Sequence, residues 1–312
     1  MKTLATIDNT SLAIIPGSNA FNLAKNIAEK LGAPLLDIHR KVFPDGEHYV
    51  RINFEKLVVP PNYSIVVNTL YPKQNDAFIE TLFLLNAAYT ETSMNTIAII
   101  PYIAYSRQDK LFLRGEPVSF EAVLSCLRSA GADMLLTVDV HSPIALKRYF
   151  KGFSINILVS DLLVKASLKY LDKPIVLAPD KGALNRVRYA ALKLGLEFDY
   201  LVKHRDRVTG EVSLEPKELS VKERDVVIVD DIISTGGTIA LAAQKCLENG
   251  ARKVVVAATH SLLIGNALEK IRNAGVAKLI TTNSIPIEET DFIEVIDLSD
   301  VISKELQRVI HV

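Results

Sequence analysis

The 312-residue chain has no tryptophan, only three methionines and an aromatic share of 7%. Its two cysteines, Cys126 and Cys246, form no CxxC pair. That excludes a disulfide framework and a cysteine-built zinc site, and both thiols are expected to be buried. Net charge is also missing: 36 Lys and Arg balance 36 Asp and Glu. A global basic field for nucleic acid is therefore absent. No stretch approaches about 18 uninterrupted apolar residues, the length needed to span a bilayer. The leading segment MKTLATIDNTSLAIIPGSN lacks the apolar run of a signal peptide. The expectation is a soluble, cytoplasmic protein that binds neither nucleic acid nor membrane. Neither GxxxxGK[ST] nor GxGxxG occurs, so the Walker and dinucleotide phosphate loops are excluded.

Against these absences stand 49% apolar and 23% charged residues, the mix of a globular protein. At about 150 residues per domain the length suggests two domains. A mean hydropathy of +0.21 is high for this charge content and is read as surface reserved for an interface. Short β-branched runs at 12–15, 64–68, 96–100, 134–138, 175–178, 226–229, 253–257 and 278–281 read as strands. Amphipathic segments at 19–31, 75–89, 119–130, 161–170, 182–194, 237–248 and 266–273 alternate with them as helices. Several strands are continuously apolar, as in a parallel sheet covered on both faces. The fold class expected is α/β.

The chain also resembles itself. A shift of 163 carries Pro16, Ala20, Asn22, Ala28, Lys30, Leu31 and Gly32 onto Pro179, Ala183, Asn185, Ala191, Lys193, Leu194 and Gly195. Further on, a shift of 144 carries Leu124, Arg128, Ala130, Gly131, Leu135 and Thr137 onto Leu268, Arg272, Ala274, Gly275, Leu279 and Thr281. Two copies of one α/β domain are expected, residues 1–155 and 156–312. Two segments break the rhythm: 40–57, with Pro-Asp-Gly between alternating runs, reads as a hairpin. The charged segment 203–216 reads as a loop or second hairpin.

Chemistry concentrates in VVIVDDIISTGGTI, residues 226–239. An apolar strand leads to Asp230 and Asp231, and Ser234, Thr235, Gly236, Gly237 and Thr238 then open a helix. Ligands of open α/β sheets bind beyond the carboxyl ends of strands. The glycine pair turns the chain tightly and exposes N–H groups at the positive helix end, a cradle for a phosphate monoester. The two carboxylates would repel that phosphate, so they suit neighbouring sugar hydroxyls, which donate. A phosphorylated sugar is the ligand implied.

This run resembles the phosphoribosyl diphosphate loop of phosphoribosyltransferases and of ribose-phosphate diphosphokinases. The tandem domains, FPDGE (43–47), YSRQDK (105–110), GEPVS (115–119), TVDVHS (137–142), APDKG (178–182) and KHR (203–205) are similar to the second family, in order along nearly the whole chain. The resemblance implies two phosphoribosyltransferase-like domains, each a mostly parallel sheet flanked by helices. It implies Mg²⁺-dependent transfer of the β,γ-diphosphoryl group of ATP to the C1 hydroxyl of ribose 5-phosphate, giving AMP and 5-phosphoribosyl 1-diphosphate for nucleotide biosynthesis. Ribose 5-phosphate would lie on Asp230, Asp231, Ser234, Thr235, Gly236, Gly237, Thr238 and Arg205. Many family members carry Asp where this chain has Ser234.

By the same resemblance, His141 and Asp180 bind Mg²⁺. Imidazole is an unusual ligand for that hard cation, and Asp180, at the start of a helix, also suits an N-cap. Lys203 and Arg205 match the catalytic loop, where closure would add cations and exclude water. Arg107 and Gln108 match the ATP-binding pair, and Phe43, Asp45, Gly46 and Glu47 the hairpin that holds adenine and its ribose. In this family that hairpin usually completes a neighbouring subunit's ATP site, so a homo-oligomer is expected. A phosphoribosyltransferase and a non-catalytic regulatory paralogue are the alternatives.

Overall fold

In the computed structural model, residues 12–57, 60–92, 95–201, 203–205, 212–214 and 220–310 are described. They divide into two compact units. One runs to Ile157 and takes in Ser284–Pro286 and the chain from Asp297 onward; the other comprises Leu158–Asn283 and Ile287–Ile296.

The first unit contains β1 (Leu12–Pro16), α1 (Phe21–Leu31), β2 (Ile38–Val42), β3 (His48–Ile52), β4 (Tyr63–Val67) and α2 (Gln74–Thr92). It continues with β5 (Asn95–Ile99), α3 (Ser119–Ser129), β6 (Met134–Val138), α4 (Pro143–Tyr149) and β7 (Phe153–Ile157). Its main sheet is parallel throughout, in the order β1-β4-β5-β6-β7. The β-branched runs of β4 and β5 are buried because helices cover both sheet faces. Burying each such side chain contributes about 1.5–3 kcal/mol. β2 and β3 form the expected hairpin, apart from that sheet.

The second unit contains α5 (Ser160–Ser167), β8 (Pro174–Ala178), α6 (Leu184–Leu194), β9 (Phe198–Tyr200), β10 (Lys203–Arg205), β11 (Val212–Leu214) and β12 (Asp225–Ile233). Then come α7 (Gly237–Glu248), β13 (Lys253–Ser261), α8 (Ala267–Asn273), β14 (Val276–Thr282) and β15 (Ile293–Ile296). The parallel order is β15-β14-β13-β12-β8-β9. The chain leaves β8 toward β9 on one side and later returns as β12 on the other. The strand order therefore reverses between β8 and β12.

The internal repeat extends beyond the residues that first show it. α1 and α6 begin at 21 and 184, and α2 and α7 at 74 and 237, both 163 apart. Gly32 and Gly195 close α1 and α6 in the left-handed conformation, at φ 61° and 68°, each N–H bonding back into its helix. Glycine suits that position because it has no Cβ to clash.

Three findings differ from the sequence reading. β12 does not stop at Val229 but carries both aspartates, because β13 pairs with it as far as Ile233. α4, β7, β9 and β15 are additional elements; α4, β9 and β15 are short, and β7 is largely half-exposed and not a continuous apolar run. The C-terminal helix α9 (Ser299–Ile310) belongs with the first unit, although a linear division at residue 155 puts it in the second copy. There Lys30 Nζ lies 2.6 Å from Asp300 Oδ1, and Asn26 donates to Asp297.

Among the described residues no helix is long and apolar enough to cross a membrane. The cysteines also divide: Cys246 is buried, but Cys126 lies on the exposed side of α3, so the expectation of two buried thiols is corrected. Burial, with Asp199 adding, pushes the Cys246 thiol up to about 12. One thiol is therefore expected to react with a disulfide reagent in the native protein, and the second only after unfolding. Thiol titration with and without denaturant checks this.

Candidate functional site

The second unit builds its site at the reversal between β8 and β12, where the crevice of an open α/β sheet binds ligands. β8 pairs with β12 only over Asp225–Ile228. The five residues of β12 beyond that point lie outside its pairing with β8. Asp230 and Asp231 are the second and third of them. Asp230 is half-buried and Asp231 buried. Each turns one oxygen onto the backbone N–H of the next residue, at 2.9 Å.

The loop after β12 is anchored from the side: Ser234 O accepts from Ile264 N–H at 2.9 Å. Gly236 caps α7 at φ 74°, and a Cβ there would come within 3.0 Å of the Ala267 carbonyl oxygen. Only glycine fits both the conformation and the space. Gly237 differs. It is exposed, and a Cβ on it would meet nothing within 4 Å. Glycine at 237 leaves the helix end open to close approach by a ligand rather than relieving a clash. The N-cap of α7, Gly236, brings no side chain to the helix end. Thr235 is exposed, while Ser234 and Thr238 are half-buried beside it. The arrangement is an anion cradle at the end of a twelve-residue helix.

Asp180 follows β8 across the reversal. Its Oδ1 accepts from Gly182 N–H at 2.8 Å and Ala183 N–H at 3.2 Å. These bonds close the turn that precedes α6; the N-cap of that helix is Ala183 and no side chain caps it, so Asp180 is not the N-cap that its sequence position suggested. Burial pushes the Asp230 carboxyl well above its ordinary value near 3.8, and the Asp231 carboxylate and, more weakly, Asp180 push the same way. Arg186 opposes them. Its guanidinium, in the first turn of α6, lies 3.0 Å from Asp231 Oδ2, and both side chains are nearly buried. Removing one member of such a pair leaves an uncompensated buried charge, at about 3–5 kcal/mol. No sequence signal marked Arg186; it is one arginine of a helical run.

Lys203 and Arg205 lie on β10, whose backbone pairs antiparallel with β11, Lys203 opposite Leu214 and Arg205 opposite Val212. Their side chains lie outside the described residues.

The first unit carries the other expected residues. In the hairpin, Phe43 N–H donates to Glu47 O at 2.8 Å, and Gly46, at φ 94°, makes the turn. Asp45 Oδ1 accepts from Glu47 N–H. Lys41 Nζ sits 4.4 Å from the centroid of the Phe43 ring, so an ammonium already occupies one approach to it. The hairpin is bolted down by Arg40, which donates to Glu80 at 2.6 Å and to the Pro16 carbonyl. Sequence reasoning missed this pair, since the partners are forty residues apart.

Arg107 is exposed, whereas Gln108 ties its segment to α3: its carbonyl oxygen accepts from Phe120 N–H and its Oε1 from Ser119 Oγ. A cavity of about 530 Å³ opens nearby, lined by Lys73, Gln74, Tyr102 and Tyr105 among others. His141 stands exposed after β6. The preceding Asp139 is buried at φ 41°, a conformation non-glycine residues seldom adopt. The hairpin, Arg107–Gln108 and His141 thus fall in one unit, and Asp180, the paired aspartates and the cradle in the other.

Comparison with known proteins gives the same assignment to both units. Residues 12–131 match the model for the N-terminal domain of ribose phosphate pyrophosphokinase, and residues 147–289 match the phosphoribosyl transferase domain. The ribose-phosphate pyrophosphokinase of Sulfurisphaera tokodaii is 40% identical over 296 residues, covering 95% of this chain and 100% of that protein. That of Pyrococcus furiosus is 42% identical, covering 88% and 94%. The crystal structure of phosphoribosylpyrophosphate synthetase from Mycobacterium smegmatis superposes with a TM-score of 0.86 at 27% identity, over 96% of this chain and 99% of that one.

The raised Asp230 carboxyl has a consequence for stability. The unfolded chain releases this proton near 3.8 and the folded chain later. The folded state therefore holds more protons, and stability falls as pH rises above the unfolded value. Asp230→Asn is expected to melt higher than the parent at about pH 7 and to lose part of that decline. Thermal melts of both proteins across the acid-to-neutral range check it; parallel curves would show that the carboxyl is not raised.

Proposed function

The chain belongs to the ribose-phosphate pyrophosphokinase family, whose members are enzymes, and from that premise we propose that it makes 5-phosphoribosyl 1-diphosphate from ATP and ribose 5-phosphate. The observation that carries the reading is the open α7 terminus beside Asp230. The cradle receives the 5-phosphate on backbone N–H groups and on the Ser234, Thr235 and Thr238 hydroxyls. Asp230 accepts from ribose hydroxyls, which the phosphate-repelling carboxylate suits. The FPDGE hairpin, with Arg107 and Gln108, takes ATP, Phe43 offering the ring face that Lys41 leaves open.

In the reaction the C1 hydroxyl oxygen bonds to the β-phosphorus of ATP. The bond from that phosphorus to the α,β-bridging oxygen breaks, AMP leaves, and the hydroxyl proton is released. Charge on the triphosphate must be offset as this happens. Lys203 and Arg205 supply cations, and closure of their loop would deliver them when both substrates are bound.

Among the described residues no three His, Cys, Asp or Glu side chains gather to hold a metal. Mg²⁺ is commonly held by one or two carboxylates together with substrate phosphates. His141 would hold one Mg²⁺ and Asp180 would serve a second metal position, where the ion when bound would neutralise phosphate charge. The product serves nucleotide biosynthesis, and the protein works in the cytoplasm. A homo-oligomer is supported by the exposed apolar residues Ile79, Phe83 and Tyr89 on α2, and the ATP site shared between subunits follows from the family resemblance. Sedimentation would show the homo-oligomer.

Incubation with ATP, ribose 5-phosphate and Mg²⁺, followed by phosphorus NMR, is expected to give AMP and a C1-linked diphosphate. ADP would mean ordinary phosphoryl transfer and reject the mechanism; saturable binding of both substrates without turnover would mean a regulatory paralogue. Lys203→Ala is expected to lower kcat by about 10²- to 10³-fold with normal folding. Unchanged turnover in that variant would remove Lys203 from the catalytic loop.

A further inference from the structure

We propose that Arg186 is a positioning residue: it anchors Asp231 inside the second unit, so that of the two adjacent aspartates only Asp230 serves the sugar. The inference rests on the reading of Asp230 as the acceptor for ribose hydroxyls, and it assigns Asp231 a different task from the one its sequence position suggested.

Both oxygens of Asp231 have partners within the second unit. Oδ1 accepts from Ile232 N–H at 2.9 Å, and Oδ2 takes the Arg186 guanidinium at 3.0 Å. By residue exposure Asp231 is buried and Asp230 half-buried. Arg186 is itself held in place. α6 packs against β8 and β12, and the Arg186 carbonyl oxygen accepts from the buried Ser160 Oγ at 3.1 Å. Lys193, at the far end of α6, pairs with Asp161 on α5. The cation therefore stands on a helix tied down along its length, as a group that fixes a second group should.

The first unit supplies an independent comparison within the same chain. The 163-residue shift that relates α1 to α6 and α2 to α7 carries Arg186 onto Leu23 and Asp231 onto Asn68. Both charges are absent there together. Leu23 is buried in α1, and Asn68 is buried and donates to Thr81 Oγ1 at 2.9 Å. Asp180 falls on Gly17, whose missing Cβ leaves room that the Asn68 side chain fills. The scaffold thus folds around a neutral filling at this place. A buried ion pair is not required for the fold, which leaves the acidic crevice of the second unit as its purpose.

That comparison also supplies the test. Arg186→Leu/Asp231→Asn gives the second unit the neutral filling of the first. It is expected to fold and melt within a few degrees of the parent, to raise KM for ribose 5-phosphate about tenfold, and to leave KM for ATP unchanged. Arg186→Lys, which restores a cation, is expected to bring the ribose 5-phosphate KM most of the way back. An unchanged ribose 5-phosphate KM in the double variant would overturn the proposal, as would an equal rise in both KM values. Impairment in Asp231→Asn with a normal Arg186→Leu would make Asp231 a direct ligand and overturn it too. Should Arg186→Leu alone fail to fold, Arg186→Gln, which keeps a polar side chain without the charge, decides: a ribose 5-phosphate KM raised severalfold with an unchanged ATP KM supports the proposal, and parent values in both overturn it. Asp230→Asn tests the underlying reading separately. A normal ribose 5-phosphate KM there would reject Asp230 as the sugar acceptor, whatever the Arg186 variants do.

Discussion

β12 outruns its neighbour, and the site in the second unit depends on that step. β8 accompanies it only to Ile228, while β13 stays paired with it to Ile233. The overhanging residues are held straight on one side and face the loop after β8 on the other. Asp230, Asp231 and the turn into α7 all occupy this overhang. Because the strand order reverses there, no other strand can close the gap, and the crevice is a property of the topology rather than of any side chain.

Filling such a crevice with acids works against the fold. Three carboxylates, Asp180, Asp230 and Asp231, influence one another there, and burial raises the cost of ionising Asp230. Arg186 and a few backbone N–H groups offset part of that cost. The remainder is stored as a preference of the folded protein for a proton on Asp230. A ligand with hydroxyl donors and a phosphate for the α7 terminus satisfies what the protein leaves unsatisfied. Sites that exchange stability for function in this way are common.

The two units answer the same geometry differently. Where the second carries Asp180, Arg186 and Asp231, the first carries Gly17, Leu23 and Asn68, and the space is closed by a neutral amide. The first unit instead holds its chemical groups on the β2–β3 hairpin and on the segment ending at α3, both departures from the repeated pattern. Duplication of a stable scaffold followed by specialisation of loops is a low-cost route to two sites, since loops tolerate change that cores do not.

Much of this was legible without coordinates. The β-branched runs of Val and Ile marked the strands, the Gly32 and Gly195 caps marked helix ends, and Asp-Asp followed by Ser-Thr-Gly-Gly-Thr marked the cradle, because each depends on neighbours only a few residues away. The tertiary structure alone decided which aspartate is anchored, since Arg186 lies 45 residues before Asp231 and only the packing of α6 on β12 brings them together. It likewise decided that α9 joins the first unit and that Cys126 faces outward. Local chemistry is written in spacing along the chain; pairing and burial are set by which surfaces meet, and spacing does not carry that information.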